Sequence, residues 1–359
     1  MSTNTQTIYL NTAACGLVPA ATIAAATELY KALETNSSTR AEHWRFEEET
    51  PTREAIAAFL KAPADEVAMI PNFSWAMNAV VQSLKGDEKV LLYKHDYPSL
   101  LEPFRINGFD ITWVDAPDGF NIDVEAIESA ITSRRVDVVA ISHVQWTSGY
   151  LLDIKRIGDL CKANGVLFLV DATQSMGAQP IDLSVLHIDV FAASNYKWMN
   201  AGFGTGVLSI KKEFLQKYPP VVGGNNSYRM IDGSMQYRPS ILSYEPGHPN
   251  MYGLTVLNAA INHKQELGVA NITTSNTGLM QQLLDGIAQL PVLPIGKLTM
   301  ENRAAFVLLK DENGLGEWLK QHNIIVTQRN GLLRISTHYY NTATDVAIFV
   351  DCITKFYNS

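Results

Sequence analysis

Lys197 stands between Tyr196 and Trp198, ahead of Gly202, Gly204 and Gly206 and a strand-like apolar stretch. On these residues alone two readings stay open. A surface turn lays a lysine stem on aromatic faces and leaves the ammonium in water. A lysine kept out of water is a neutral amine and a nucleophile. A second group narrows the choice. Asp171 ends the apolar run "VLFLV", and Gln174 follows three residues on. Alone, Asp171 reads equally as a turn cap. Between Asp171 and Lys197 lies "IDVFAAS", itself strand-like, so both residues fall on one rim of a sheet, where open α/β sheets bind ligands.

A lysine able to bond a carbonyl carbon, with a carboxylate able to keep a ring nitrogen protonated, is what pyridoxal phosphate requires. The carboxylate makes the ring an electron sink at neutral pH. A phosphate needs donors, and "IPNFSWAMN" offers them: a strand end, then Ser74 and Trp75 in the first turn of a helix. Free N–H groups and the helix dipole favour an anion there, and Ser74 also reads as a plain N-cap. Ser194 and Tyr196 add hydroxyls beside the lysine.

These groups need a frame, and the chain supplies one. Strand patterns at 66–70, 89–93, 110–114, 136–142, 166–170 and 188–194 alternate with helical patterns at 74–84, 98–106, 123–131 and 153–164. Strand–helix–strand spacing requires crossovers, and hence a mostly parallel sheet covered on both faces. Residues 219–250, rich in Gly, Pro, Asn and Tyr, read as one long irregular segment. A helix over 252–267 follows, then a smaller mixed region from 276 with strand candidates "AAFVLL", "NIIVT" and "LLRIS". "TDVAIFVDCITKF" closes the chain as an amphipathic helix.

The chain's 359 residues exceed a usual single core, so two domains are expected: 19–254, and 1–18 with 255–359. A formal charge of −8 disfavours nucleic acid as a partner. Three dispersed cysteines and eight scattered histidines signal neither a disulfide framework nor a metal site. No apolar run is long enough to span a bilayer, and the first basic residue is Lys31. A cytoplasmic protein is the expectation. The glycines at 202, 204 and 206 lead into a strand with the wrong spacing for a dinucleotide loop, and there is no GxSxG.

The chain resembles the class V aminotransferase branch of fold type I pyridoxal-phosphate enzymes. That branch includes cysteine desulfurases, kynureninase, isopenicillin-N-epimerase-like proteins and small-acid aminotransferases. The likeness runs from "YLNTAACGLVP" through "NFSWAMN", "KHDYPSLLEPF", "SHVQWTSGYLLDI", "DATQSMG" and "SNYKWMNAGFGTG" to "YEPGHPNMYGL" and "LLRISTHYYNT". It implies a mostly parallel seven-stranded sheet sandwiched by helices, with a smaller α+β domain from the two termini. It implies Lys197 as the Schiff-base lysine, Asp171 as partner of the ring nitrogen and Gln174 as donor to the ring's phenolic oxygen. Ser74, Trp75, Ser194 and Tyr196 fall at cofactor-binding positions, the three hydroxyl residues as phosphate ligands. Tyr97 is the ring-stacking choice and His95 the fallback. Arg334 matches the arginine that grips the substrate carboxylate. The resemblance also implies a homodimer, with the Gly247-His248 position of one subunit reaching the cofactor phosphate of the other.

Three departures matter. Trp146 stands where many members carry an asparagine near the ring and the substrate, with Gln145 beside it. Gly247-His248 replaces Gly-Thr. "NIIVTQRNGLLRIS" holds no cysteine where desulfurases carry their nucleophile, and Cys352 reads as a core residue. The expectation is therefore an aminotransferase for a small amino acid, of the serine/phosphoserine or alanine–glyoxylate type, with desulfurase chemistry disfavoured. Epimerisation, kynureninase-like cleavage and a non-catalytic binding relative are the alternatives. Arg40, His43, Arg45, Arg229 and Arg238 are candidates for a distal anionic group, with solvated surface charges the favoured reading.

Overall fold

The computed structural model describes residues 7–237 and 240–359. Its strands are β1 (Ile8–Tyr9), β2 (Val67–Ile70), β3 (Lys89–Tyr93), β4 (Asp110–Val114), β5 (Val138–Ser142), β6 (Leu167–Asp171), β7 (Val190–Ser194), β8 (Gly206–Ile210), β9 (Tyr228–Ile231), β10 (Ser234–Tyr237), β11 (Phe306–Lys310), β12 (Ile324–Ile325), β13 (Thr327–Arg329) and β14 (Leu332–Ser336). Seven of them form the central sheet in the order β2-β8-β7-β6-β5-β3-β4. Only β8 runs against its neighbours, so the sheet is mostly parallel, as expected. Strands β5, β6, β7 and β8 are buried along their length apart from Leu167, because helices cover both faces.

Two apolar cores lie on either side of this sheet. One gathers Leu91, Val139, Phe168 and Phe191, the other Leu92, Ala140, Leu169 and Ala192, as the two-residue period demands. A third core joins the chain's ends: Ile8, Leu10 and Ala13 pack with Leu283, Phe306, Ile335 and Phe349. There β11, β14 and β13 make a small antiparallel sheet, and β1 pairs with β12.

The local stops are chemical. Gly165 ends helix Ile154–Asn164 at φ +70°, and Asp153 and Asp123 cap their helices by accepting N–H bonds from Arg156 and Ala126. Helix Phe73–Ser83 is capped by Asn72, which accepts from Trp75 N–H, so Ser74 is not the N-cap. The stretch read as irregular holds the hairpin β9–β10, turned by Asp232-Gly233 at φ +49° and +77°. The mixed region from 276 begins inside helix Val269–Ile287, whose threonines and asparagines mask its apolar stripe of Ile272, Met280, Leu283 and Leu284. Among the described residues no helix is long and apolar enough to cross a membrane.

Candidate active site

Asp171 ends β6 and Ser194 ends β7, so register alone brings the Asp171 rim to the segment carrying Lys197. Lys197 is 6% exposed and Asp171 4%. The lysine amine lies 5.6 Å from the ring centroids of both Tyr97 and Tyr196. Burial holds it below the ordinary lysine range. The Arg334 charge pushes the same way, while Asp171 and Cys15 oppose. Burial pushes Asp171 upward, against hydrogen bonds from Thr173. The amine and the carboxylate are both buried at one end of the sheet, so Lys197 is not a solvated turn lysine.

The turn is held from behind. Asn200 sits at φ +58°, its N–H donating to Lys197 O at 3.1 Å and its amide to Leu17 O at 2.9 Å. Lys264, in helix Met251–Leu267, donates to Asn200 Oδ1 at 3.0 Å. Gly16 N–H reaches Tyr196 O at 2.8 Å, and a Cβ on Gly16 would stand 2.0 Å from Lys197 O. Only glycine fits that crossing.

A cleft of about 460 Å³ opens beside Tyr97, lined by Phe73, Ser74, Thr173, Ser194, Tyr196 and Thr205. Ser194 Oγ accepts from the N–H of Phe73, first residue of its helix, and Ser74 Oγ bonds Ser99 Oγ at 2.7 Å. Hydroxyls and a helix N-terminus thus meet in one cleft, a setting suited to phosphate.

Other candidates are placed more loosely. Gln174 gives Nε2 to Ala13 O and accepts from Trp198 Nε1, which leaves one amide N–H for a ligand. Of the two stacking candidates, Tyr97 lies beside Lys197, whereas His95 is exposed and faces Asp115 at 3.3 Å. Arg334 is buried, its Nη1 donating to Trp146 O and its Nε unpartnered. Trp146 Nε1 donates to His95 O at 3.1 Å, and its ring meets Tyr97 edge-on at 5.6 Å. Gln145 faces Asp96 instead. In the single chain His248 is not brought to Lys197. It bonds Arg45 at 3.2 Å and lines a second cleft with Trp75 and Glu245. Arg40 pairs with Glu48 at 2.6 Å, and Arg238 lies outside the described residues.

Sequence reading passed over several residues. Asp96 is fully enclosed and accepts from Ser142, Gln145 and Tyr97 N–H, fixing the loop that carries Tyr97. Its place in "HDYPS" was the available signal. Lys264, Asn200 and Arg329 carried none, since long-range contacts define them. Cys15 is half-buried next to Gly16, while Cys161 and Cys352 are buried. Among the described residues no cluster could hold a metal ion.

The fold and the Asp171–Lys197 rim define a pyridoxal-phosphate enzyme of fold type I. A family model described as aminotransferase class-V matches residues 8–349, and the chain belongs to that family. It is 26% identical, over 99% of its length and 95% of the relative's, to a probable cysteine desulfurase of Pyrococcus abyssi. A probable cysteine desulfurase of Xylella fastidiosa is 26% identical over 97% of this chain and 90% of its own. Among solved structures, the cysteine desulfurase of Thermococcus onnurineus superposes with TM-score 0.87 at 23% identity, covering 98% of this chain and 94% of its own. The cystine C–S lyase C-DES, solved with its product cysteine persulfide, gives 0.86 at 19% identity over 97% of each chain.

These relatives overturn one expectation. The reading as a serine- or alanine–glyoxylate-type aminotransferase, with desulfurase chemistry disfavoured, does not stand against whole-length relatives named cysteine desulfurases. The missing cysteine was overweighted. It removes one nucleophile from one segment, and breaking a C–S bond does not depend on that nucleophile alone.

Proposed function

We propose that this protein cleaves the Cβ–S bond of a small sulfur-containing amino acid by elimination. The observation that carries this reading is the pairing of two facts: whole-length relatives named for C–S chemistry, and a segment 324–336 with no thiol to attack sulfur. The cofactor fits the residues present. Lys197 is a buried amine, Asp171 a buried carboxylate on the same rim, and the hydroxyl-lined cleft at the N-terminus of helix Phe73–Ser83 suits its phosphate. Once bound, pyridoxal phosphate supplies an electron sink for the bonds at the substrate Cα.

In this reading Arg334 holds the substrate carboxylate through its free guanidinium edge. Lys197, as a neutral amine, takes the Cα proton. Asp171 keeps the ring nitrogen protonated, and Tyr97 covers the ring. Gln174 donates its remaining N–H to the ring oxygen. Ser74, Ser194 and Tyr196 hold the phosphate, with Trp75 at the same helix end. Sulfur leaves with the electron pair of the Cβ–S bond. Water then converts the three-carbon remainder to pyruvate and ammonia. With a disulfide substrate the leaving group is a persulfide.

The assembly belongs to the same proposal. A large unit, 19–254, and a small one, 1–18 with 255–359, form a cytoplasmic homodimer in which His248 of each chain serves the other's phosphate.

Incubation of the holoenzyme with cystine and with cysteine tests the chemistry. From cystine, pyruvate, ammonia and cyanolysable persulfide sulfur in equal amounts are expected, and from cysteine, pyruvate, ammonia and sulfide. Conversion of the amino acid to its own keto acid with sulfur retained would overturn the reading. Mixing His248→Ala with Lys197→Ala subunits tests the assembly, because one hybrid site regains both residues.

A further inference from the structure

We propose that Arg329 and Trp146 form a second carboxylate subsite, so that the preferred substrate is a thioether or disulfide of cysteine whose far end carries a carboxylate. The sulfur in that class rests on the C–S cleavage reading above. The subsite itself rests on geometry.

The relationship begins in the small sheet. Thr327 of β13 faces Arg334 of β14, and Arg329 faces Leu332. Residues two apart on a strand share a face, so Arg329 and Arg334 project from the same side. Diagonal neighbours of this kind lie about 7–8 Å apart at the backbone. The two arginines therefore rise from one face of the small sheet, with Arg334 near enough to Lys197 for its charge to act on the amine.

Among the described residues, no carboxylate lies within ion-pair distance of Arg329 or Arg334. Arg334 is 8% exposed, and its Nε has no partner. Burial depresses its pKa, Tyr196 opposes, and the Arg329 charge depresses it further. Two facing cations with no counter-charge form a field that a dianionic ligand would settle.

Trp146 ties the two together. Arg334 donates to its carbonyl, and the Arg329 guanidinium lies 5.6 Å from its ring centroid. The indole N–H is anchored on His95 O, and the far edge meets Tyr97, the neighbour of the Lys197 amine. A continuous wall thus runs from Lys197 through Tyr97 and Trp146 to Arg329. Arg329 is exposed, and with its guanidinium over a fixed indole its donors stay open to a ligand. With one carboxylate on Arg334, a substrate extending along this wall brings its second carboxylate to Arg329.

Two measurements on the holoenzyme test this. Calorimetry compares glutarate with butyrate, neither of which reacts. Glutarate should bind at least about tenfold more tightly, and Arg329→Gln should abolish the preference. Arg329→Lys, which keeps the charge but not the stacked fork, should retain part of it. Kinetics compare S-(2-carboxyethyl)cysteine with S-propylcysteine. The wild type should favour the acid in kcat/KM through a lower KM, and Arg329→Gln should bring the ratio toward one. Equal binding of glutarate and butyrate, or a preference that survives Arg329→Gln, overturns the subsite. If no sulfur substrate turns over while the glutarate preference persists and depends on Arg329, the subsite stands and the C–S reading falls.

Discussion

Lys264 Nζ and Asn200 Oδ1 meet at 3.0 Å, with both residues out of solvent, directly behind the turn that carries Lys197. Burial alone lowers the Lys264 amine to about 7. The unfolded chain then binds a proton that the folded chain does not, from about pH 7 up to the ordinary lysine value near 10.4. Stability should rise with pH across that window, with a limit of about 1.4 kcal/mol per pH unit from this group. Lys264→Met should flatten the slope and loosen the turn. Denaturant melts at pH 7, 8 and 9 check the slope. An unchanged slope would mean that Lys264 stays charged in the folded protein.

Lys197 gives a pH signature of its own. In the proposed role its amine must be neutral to bond the cofactor aldehyde. Covalent uptake of pyridoxal phosphate by apoenzyme should therefore quicken as pH rises, with a midpoint below the ordinary lysine value. Arg334 is one cause of that depression. Arg334→Met should move the midpoint upward and slow uptake at neutral pH. Stopped-flow absorbance follows both. A midpoint that does not move would remove Arg334 from the Lys197 environment.

If Asp171 holds the ring nitrogen as proposed, Asp171→Ala should lower turnover by several orders of magnitude while the fold survives. The side chain also caps its own turn, accepting from Thr173 N–H at 2.8 Å. Near-normal turnover with a lowered melting temperature would mean that capping is its whole role.

Elimination needs no protein thiol. Cys15→Ser, Cys161→Ala and Cys352→Ala should each leave the rate of sulfur release within about twofold, since none is given a part in the chemistry. Mass spectrometry of the enzyme after turnover is the companion measurement. Collapse of activity in Cys15→Ser, with loss of protein-bound sulfur, would replace elimination by thiol attack.

Much of this molecule was legible in its order of residues. Period-two and helical apolar patterns placed the strands and helices of the central sheet to within a few residues, because each element must bury its own face. The Asp171–Lys197 rim followed, since both sit where a strand ends. Local competition hid the rest. The Asp232-Gly233 turn was buried in a Gly- and Asn-rich stretch, and helix Val269–Ile287 in threonines of low helix propensity.

A parallel sheet whose strand ends carry a carboxylate and an amine is legible in residue order alone. Periodicity and strand-end position are local properties, and local properties can be read in order. The groups that surround them come together only when the chain folds. Lys264 meets Asn200 across 64 residues, and Arg334 meets Trp146 across 188. No spacing rule links positions that far apart. Their meeting depends on how the cores close, which puts Lys264 behind the turn of Lys197 and Arg334 against Trp146.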